Sequence, residues 1–69
     1  MAIDSLLNEE LTEVYQIDEH TFKCEGMRLV FEDITEGRDY YNLIAEDEEV
    51  LLDSESYFKL YGKILEKLQ

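Results

Sequence analysis

Hydrophobic and polar residues alternate along residues 27–45, a period of two that is typical of β-strands. The Thr-Glu-Gly sequence at 35–37 predicts a tight turn with a bulge at the glycine, which joins two strands into a central hairpin. This register places Phe31 opposite Tyr41. One face of the hairpin then carries only apolar side chains, from Met27, Leu29, Phe31, Tyr41, Leu43 and Ala45.

Two further strands are predicted before the hairpin. Residues 12–17 and 21–24 are rich in β-forming residues, and a turn-forming sequence separates them. Glu25 and Gly26 then either turn the chain or form a bulge in one continuous strand, and the sequence leaves both alternatives open. The pattern therefore predicts a meander of three or four antiparallel strands.

Helical periodicity is present near both ends of the chain. Apolar residues at helical spacing predict a short helix over roughly residues 4–11, with Asp4 or Ser5 as its N-cap. Asp53 is the predicted N-cap of a C-terminal helix of about fifteen residues. Lys63 falls on the predicted polar face of that helix, so its replacement by alanine should cost little. The predicted apolar face consists of Tyr57, Phe58, Leu60, Tyr61, Ile64, Leu65 and Leu68.

The remaining segment and the chain length complete the predicted fold. The acidic run 46–49 predicts a solvated loop, and residues 50–52 allow a short edge strand. Residues 1–69 have room for a single domain. We expect an α+β fold, a three- to four-stranded antiparallel β-meander with a short N-terminal helix and a C-terminal amphipathic helix packed on one sheet face.

The charge balance is strongly acidic. Eighteen Asp and Glu residues against six Lys and Arg give a net charge of −12, and the excess lies in residues 1–52. Solubility alone calls for a magnitude of about 2–8 in a small domain. Repulsion among the carboxylates predicts a melting temperature that rises from pH 7 towards about 5 and with added salt. Direct binding of nucleic acid is disfavoured, because such a surface repels phosphates.

Residue types that support chemistry are scarce. Cys24 and His20 are the only cysteine and histidine, and they could act as a nucleophile and a base only if they met across a turn. We interpret Cys24 as a small buried apolar residue and His20 as solvated. Zinc needs three or four such ligands, and residues 46–49 lack the spacing of a calcium loop. No enzyme, cofactor or metal is predicted.

The start of the sequence has no basic region and no long apolar run, so we predict neither a signal peptide nor a membrane anchor. A single cysteine fits a reducing compartment. The expected location is the cytoplasm.

The acidity suggests a function. A domain of this size spans about 28 Å, which gives about one net charge per 2.4 Å, against one per 1.7 Å in duplex DNA. A basic groove that accepts DNA would therefore also attract this surface. An acidity that serves only solubility is the alternative. The candidate partner-binding residues are Glu32, Asp33, Glu36, Asp39, Tyr40, Glu46, Asp47, Glu48 and Glu49.

The order of short helix, strands, acidic loop and helix resembles that of small acidic inhibitors from phages and mobile elements, including anti-CRISPR proteins that occupy the DNA site of a nuclease. Residues 39–41, Asp-Tyr-Tyr, and the aromatic-rich segment 57–62 resemble one type of phage uracil-DNA glycosylase inhibitor. The resemblance covers about half of the chain. It implies a non-catalytic DNA mimic that inhibits a basic nucleic-acid-binding protein, such as a nuclease or a DNA-repair enzyme, in the host cytoplasm if the protein is phage-encoded.

A different class of function is an interaction or assembly module. The second face of the predicted hairpin would then be exposed and would pair with a partner or with itself as a homodimer. The apolar residues of that face are Val30, Ile34, Tyr40 and Ile44.

Overall fold

The computed structural model describes residues 3–69, which form one five-stranded sheet and two helices. The elements are α1 (Ile3–Asn8), β1 (Val14–Gln16), β2 (Thr21–Cys24), β3 (Met27–Val30), β4 (Tyr40–Ala45), β5 (Glu48–Asp53) and α2 (Ser54–Leu68). All neighbouring strands are antiparallel and follow one another in chain order. The predicted α+β layout with a helix near each end is confirmed. The predicted number of strands was too low, since the sheet has five.

Two-residue turns join β2 to β3 and β4 to β5. Glu25 and Gly26 have φ angles of 53° and 81°, and Glu46 and Asp47 have φ angles of 49° and 70°. Positive φ at both central residues is the requirement of a type I′ hairpin turn. Gly26 therefore lies in a turn and not in a bulge. The prediction that residues 46–49 form a loop is wrong for its second half, because Glu48 already belongs to β5.

The register of β3 and β4 differs from the prediction. The predicted pairing of Phe31 with Tyr41 places Leu29 opposite Leu43. In the structure, Leu29 pairs instead with Ala45, two residues farther along β4. The tight turn at 35–37 is wrong as well, since a longer connection over residues 31–39 joins the two strands. Successive side chains on a strand point to opposite faces, so a shift by two residues returns the same side chains to the core. The predicted apolar face is accordingly buried.

Aromatic rings fill the space between α2 and this sheet face. The ring centroids of Phe31 and Phe22 lie 5.9 Å apart, and those of Phe31 and Tyr57 lie 5.2 Å apart, both in edge-to-face contacts. Tyr41 and Tyr57 stack with centroids 4.6 Å apart. Such pairs contribute roughly 0.5–1.5 kcal/mol beyond the area they bury. Tyr57 thus connects α2 to β4 and to the residue after β3.

The N-terminus of α2 matches its prediction, but its buried face is narrower than predicted. The Asp53 carboxylate accepts a hydrogen bond of 2.8 Å from the Ser56 amide, as an N-cap does. Leu65 and Leu68 were expected in the core and are 38% and 37% exposed. The fully buried residues of the helix are Tyr57, Leu60 and Ile64.

Lys63 joins the two helices, so the expectation that it lies solvated on the polar face is wrong. Its ammonium donates to the carbonyl oxygens of Leu6 at 2.7 Å, Leu7 at 3.1 Å and Glu9 at 2.6 Å. These carbonyls lie at the C-terminal end of α1, where a helix leaves acceptors without partners. The helix spans residues 3–8 and is shorter than the predicted 4–11. One lysine therefore caps α1 and fixes it to α2.

Candidate functional site

The predicted acidic residues form two groups at opposite ends of β4. The first, here called the loop cluster, consists of Glu32, Asp33, Glu36 and Asp39 in the connection between β3 and β4. The second, the turn cluster, consists of Glu46, Asp47, Glu48 and Glu49 around the β4–β5 turn. Six residues of β4 separate Asp39 from Glu46, about 20 Å at about 3.3 Å per residue, whereas Glu32 and Asp33 follow Val30, which pairs with Ile44 near the other end of β4.

The loop cluster keeps most of its charge unpaired. The Asp33 carboxylate accepts a hydrogen bond of 3.0 Å from the Thr35 amide and forms an ion pair of 2.7 Å with Arg38. The Thr35 amide, more than the arginine, holds the pKa of Asp33 below its ordinary value. Within residues 3–69, the side chains of Glu32, Glu36 and Asp39 enter no ion pair. Three carboxylates of this cluster are thus free to meet a cation.

The Tyr41 hydroxyl anchors the loop that carries these acids. It donates to the Thr35 carbonyl at 2.7 Å and accepts from the Arg38 amide at 3.3 Å. The Asp39 carbonyl in turn accepts from the Ser54 amide at 2.9 Å, at the start of α2. The loop therefore presents its carboxylates from a fixed backbone. This role could not be predicted, because an alternating pattern marks Tyr41 only as a core residue.

A single arginine partly neutralises the turn cluster. The Arg28 guanidinium pairs with the Asp47 carboxylate, and the Arg28 amide donates to the Glu46 carboxylate at 2.7 Å. Glu48 and Glu49 are exposed and have no ion pair in the described part of the chain. Because side chains alternate along β5, Glu48 and Glu49 project on opposite faces of the sheet. Three acids of this cluster therefore keep a charge without an ion pair: Glu46 in the turn, and Glu48 and Glu49 on the strand.

The sheet face away from α2 carries large exposed side chains. Tyr15, Tyr40 and Leu51 are 61%, 61% and 64% exposed. Val30 and Ile44, which were predicted to share this face, pair directly across β3 and β4. Ile34 was predicted to join them, but it lies in the connecting loop outside the strands.

Cys24 and His20 do not form a catalytic pair. They lie four residues apart at opposite ends of β2, about 13 Å at 3.3 Å per residue. Cys24 is fully buried, and this burial raises the pKa of its thiol to about 11. His20 is exposed. A thiol in this environment has little thiolate at neutral pH and no access for a substrate.

Within residues 3–69, no group of three or more potential ligands is arranged to hold a metal ion. The same residues contain no helix with the length and apolar character needed to span a bilayer.

Comparisons with protein-family models, curated proteins and solved structures find no match for this chain. Its function must therefore be inferred from its own residues.

Because several carboxylates accept hydrogen bonds from backbone amides, we expect the folded protein to lose stability in acid. Hydrogen bonds from backbone amides lower the pKa of four carboxyl groups. The amide with the largest effect is that of His20 for Asp18, of Glu13 for Glu25, of Thr35 for Asp33 and of Ser56 for Asp53. A group whose pKa is lower in the folded state stabilises it above the unfolded pKa, here near 4, and this stability is lost as pH falls through the folded value. This predicts an acid limb, in which the melting temperature falls as the pH drops below about 4.5.

The acid limb is tested by melting curves of Asp53→Asn and Glu25→Gln between pH 7 and 2. Both variants should show a smaller drop below pH 4.5 than the unmodified protein. Glu36→Gln removes a carboxylate that has no ion pair with a described residue, and it should leave the drop unchanged. Identical curves for all three variants would show that these hydrogen bonds do not cause the acid limb.

Proposed function

We propose that this protein is a non-catalytic inhibitor that binds a basic, nucleic-acid-handling protein and occupies its nucleic-acid site by charge mimicry. The observation that carries this proposal is the lack of internal neutralisation. Among residues 3–69, only Asp33 and Asp47 have side chains in ion pairs, out of eighteen acids in the chain. No charged side chain of the described residues is buried. The net charge of −12 is therefore presented to solvent and to partners.

The dimensions of the molecule support the same proposal. Dividing its 29 Å long axis by its 12 net charges gives about 2.4 Å per charge, close to the value of about 1.7 Å for duplex DNA. Asp39 and Glu46, one from each cluster, are held about 20 Å apart by β4, which is the span of about six phosphates along one DNA strand at 3.4 Å each. A basic groove could contact both clusters at once.

Long-range attraction would help the two proteins to associate. Oppositely charged surfaces raise association rates by factors of about 10–10³, and added salt reduces this effect. The partner we envisage is a nuclease or a DNA-repair enzyme, and the expected compartment is the cytoplasm. The partner should no longer bind DNA or RNA when this protein is present in stoichiometric amounts.

The test uses a partner captured from a bacterial lysate on the immobilised protein and eluted with a salt step. Glu32, Glu36 and Asp39 are each replaced by lysine in one variant, whereas the control variant carries lysine at Glu9, Glu10 and Glu66. Both variants change the net charge by the same amount. The first should associate with the partner at least tenfold more slowly and lose inhibition, while the control keeps most of both. Circular dichroism checks that each variant is folded.

A ternary complex of this protein, the partner and its nucleic acid would refute mimicry. So would equal binding of the two variants.

A second candidate function is supported by the exposed side chains of the open sheet face. Tyr40 and Leu51, on the neighbouring strands β4 and β5, would form the centre of an interface with another protein or with a second copy of the chain, and Tyr15 on β1 would lie at its far edge. This alternative predicts that Tyr40→Ala abolishes partner binding, and that reversal of the acidic clusters does not.

A further inference from the structure

The backbone at the outer edge of β5 is unpaired in the described structure. Glu48 and Ala45 flank the two-residue β4–β5 turn, and such flanking residues exchange hydrogen bonds. Hydrogen-bonded pairs alternate with non-bonded ones along an antiparallel ladder, so the backbone groups of Glu49 and Leu51 point away from β4.

The neighbouring ladder independently gives the same orientation. The Glu46 amide donates to the Arg28 carbonyl at 3.0 Å, so the backbone of Glu46 faces β3. Alternation along β4 then directs the backbone groups of Ala45, Leu43 and Tyr41 towards β5. Glu49 and Leu51 are left with amides and carbonyls that have no backbone partner in another described element.

An open groove of about 650 Å³ runs beside this edge, between β5 and the start of α1. Its apolar lining comes mainly from Ile3, Met27, Ala45, Val50 and Leu52. All charged residues that line it are acids: Asp4, Glu46 and Glu48. The groove therefore combines an apolar floor with a negative rim.

We propose that β5 binds an extended basic segment of the partner, which adds to the sheet as a sixth strand. This inference rests on the proposed function and specifies how the basic partner is held. An added strand would lie about 4.8 Å from β5 and take its hydrogen bonds from Glu49 and Leu51. Its alternate apolar side chains would enter the groove, and the Lys or Arg residues between them would lie on the other sheet face, beside Glu49 and Asp53.

The charge of β5 selects this occupant over a second copy of the chain. The strand has three acids, Glu48, Glu49 and Asp53, and no base. Two copies paired edge to edge would bring these acids together, which is unfavourable. Many proteins protect an exposed edge with lysine or proline, but β5 has neither. At the opposite side of the sheet, the edge strand β1 has only three residues.

The probe for this site is a synthetic eight-residue peptide of alternating lysine and valine. At saturation it should slow hydrogen exchange of the Glu49 and Leu51 amides at least tenfold, as measured by NMR. The control peptide has the same sequence but is methylated at all internal backbone nitrogens. It keeps the charge and the side chains but cannot donate ladder hydrogen bonds, and its N-methyl groups hold its carbonyls too far from β5 to accept from the Glu49 and Leu51 amides, so it should give no protection.

Variants of the protein test the two parts of the site separately. Leu51→Pro removes an outward amide that β4 does not use, and it should weaken peptide binding at least tenfold. The variant Glu49→Gln leaves the backbone intact and should weaken binding about three- to tenfold, because it removes a carboxylate from the sheet face on which the lysines of the peptide lie. Its control, Glu19→Gln, loses the same charge at the other side of the sheet and should bind the peptide as the unmodified protein does.

Equal binding of the methylated peptide, or binding without protection of Glu49 and Leu51, would overturn strand addition. Protection that develops with protein concentration in the absence of peptide would show self-pairing and overturn it as well. If the peptide fails at β5 but the protein still displaces nucleic acid from its partner, this inference fails and the proposed function stands. If the peptide binds at β5 and the partner keeps its nucleic acid, charge mimicry fails instead.

Discussion

Ile64→Ala should lower the free energy of unfolding by about 2–5 kcal/mol, a large part of the stability of so small a domain. The Ile64 side chain is fully buried beneath the sheet, so the variant loses its burial and leaves a cavity in a close-packed core. Urea denaturation followed by circular dichroism measures the loss.

The control is the next residue of the same helix. Leu65 is 38% exposed, and Leu65→Ala should cost about 1 kcal/mol or less. Alanine gains more helix propensity over isoleucine than over leucine, which works against the expected difference, so a larger loss for Ile64→Ala reports on packing. Equal losses would mean that α2 packs on the sheet with a different face.

Lys63→Met should destabilise the protein by about 1.5–3 kcal/mol, the range for hydrogen bonds to a charged group. Methionine retains an unbranched apolar side chain but cannot donate to the carbonyls of Leu6, Leu7 and Glu9. A helix of six residues does not persist by itself, so α1 depends on this cap and on the burial of Leu6. Hydrogen exchange of the α1 amides should therefore accelerate more than that of α2.

Lys59 is the matched control, because it lies one helical turn before Lys63 on α2. Its side chain is exposed and forms no hydrogen bond with any of residues 3–69. Lys59→Met should change the free energy of unfolding by no more than about 0.5 kcal/mol. If the two methionine variants behave alike, the Lys63 cap contributes nothing to stability.

Local signals explain what could be predicted of the fold. Asp53 and the apolar periodicity that follows specify where α2 begins and its length, because both act within one or two turns. The buried face of β3 and β4 was also predictable, because a period of two survives a shift by two residues. The register itself was not, since the bonds of the Tyr41 hydroxyl to the 31–39 connection leave no pattern in the sequence.

Contacts between distant residues explain what was missed at the candidate site. The contact of Lys63 with Leu6 spans 57 positions of the chain and has no local marker. Glu46 and Asp47 lack the glycine or asparagine that usually signals a type I′ turn, so the acidic run was assigned to a loop and the length of β5 was underestimated. The acids could be identified from composition, but their separation by β4 required the sheet.

The burial of Cys24 gives this protein an internal reporter of its own opening. It is the only cysteine of the chain, it lies on β2 between two neighbouring strands, and it is inaccessible to solvent. A thiol reagent should therefore modify only molecules in which the sheet has separated, at a rate set by the population of that open state. Labelling followed by mass spectrometry would then rank the opening of every variant described above without any attached probe.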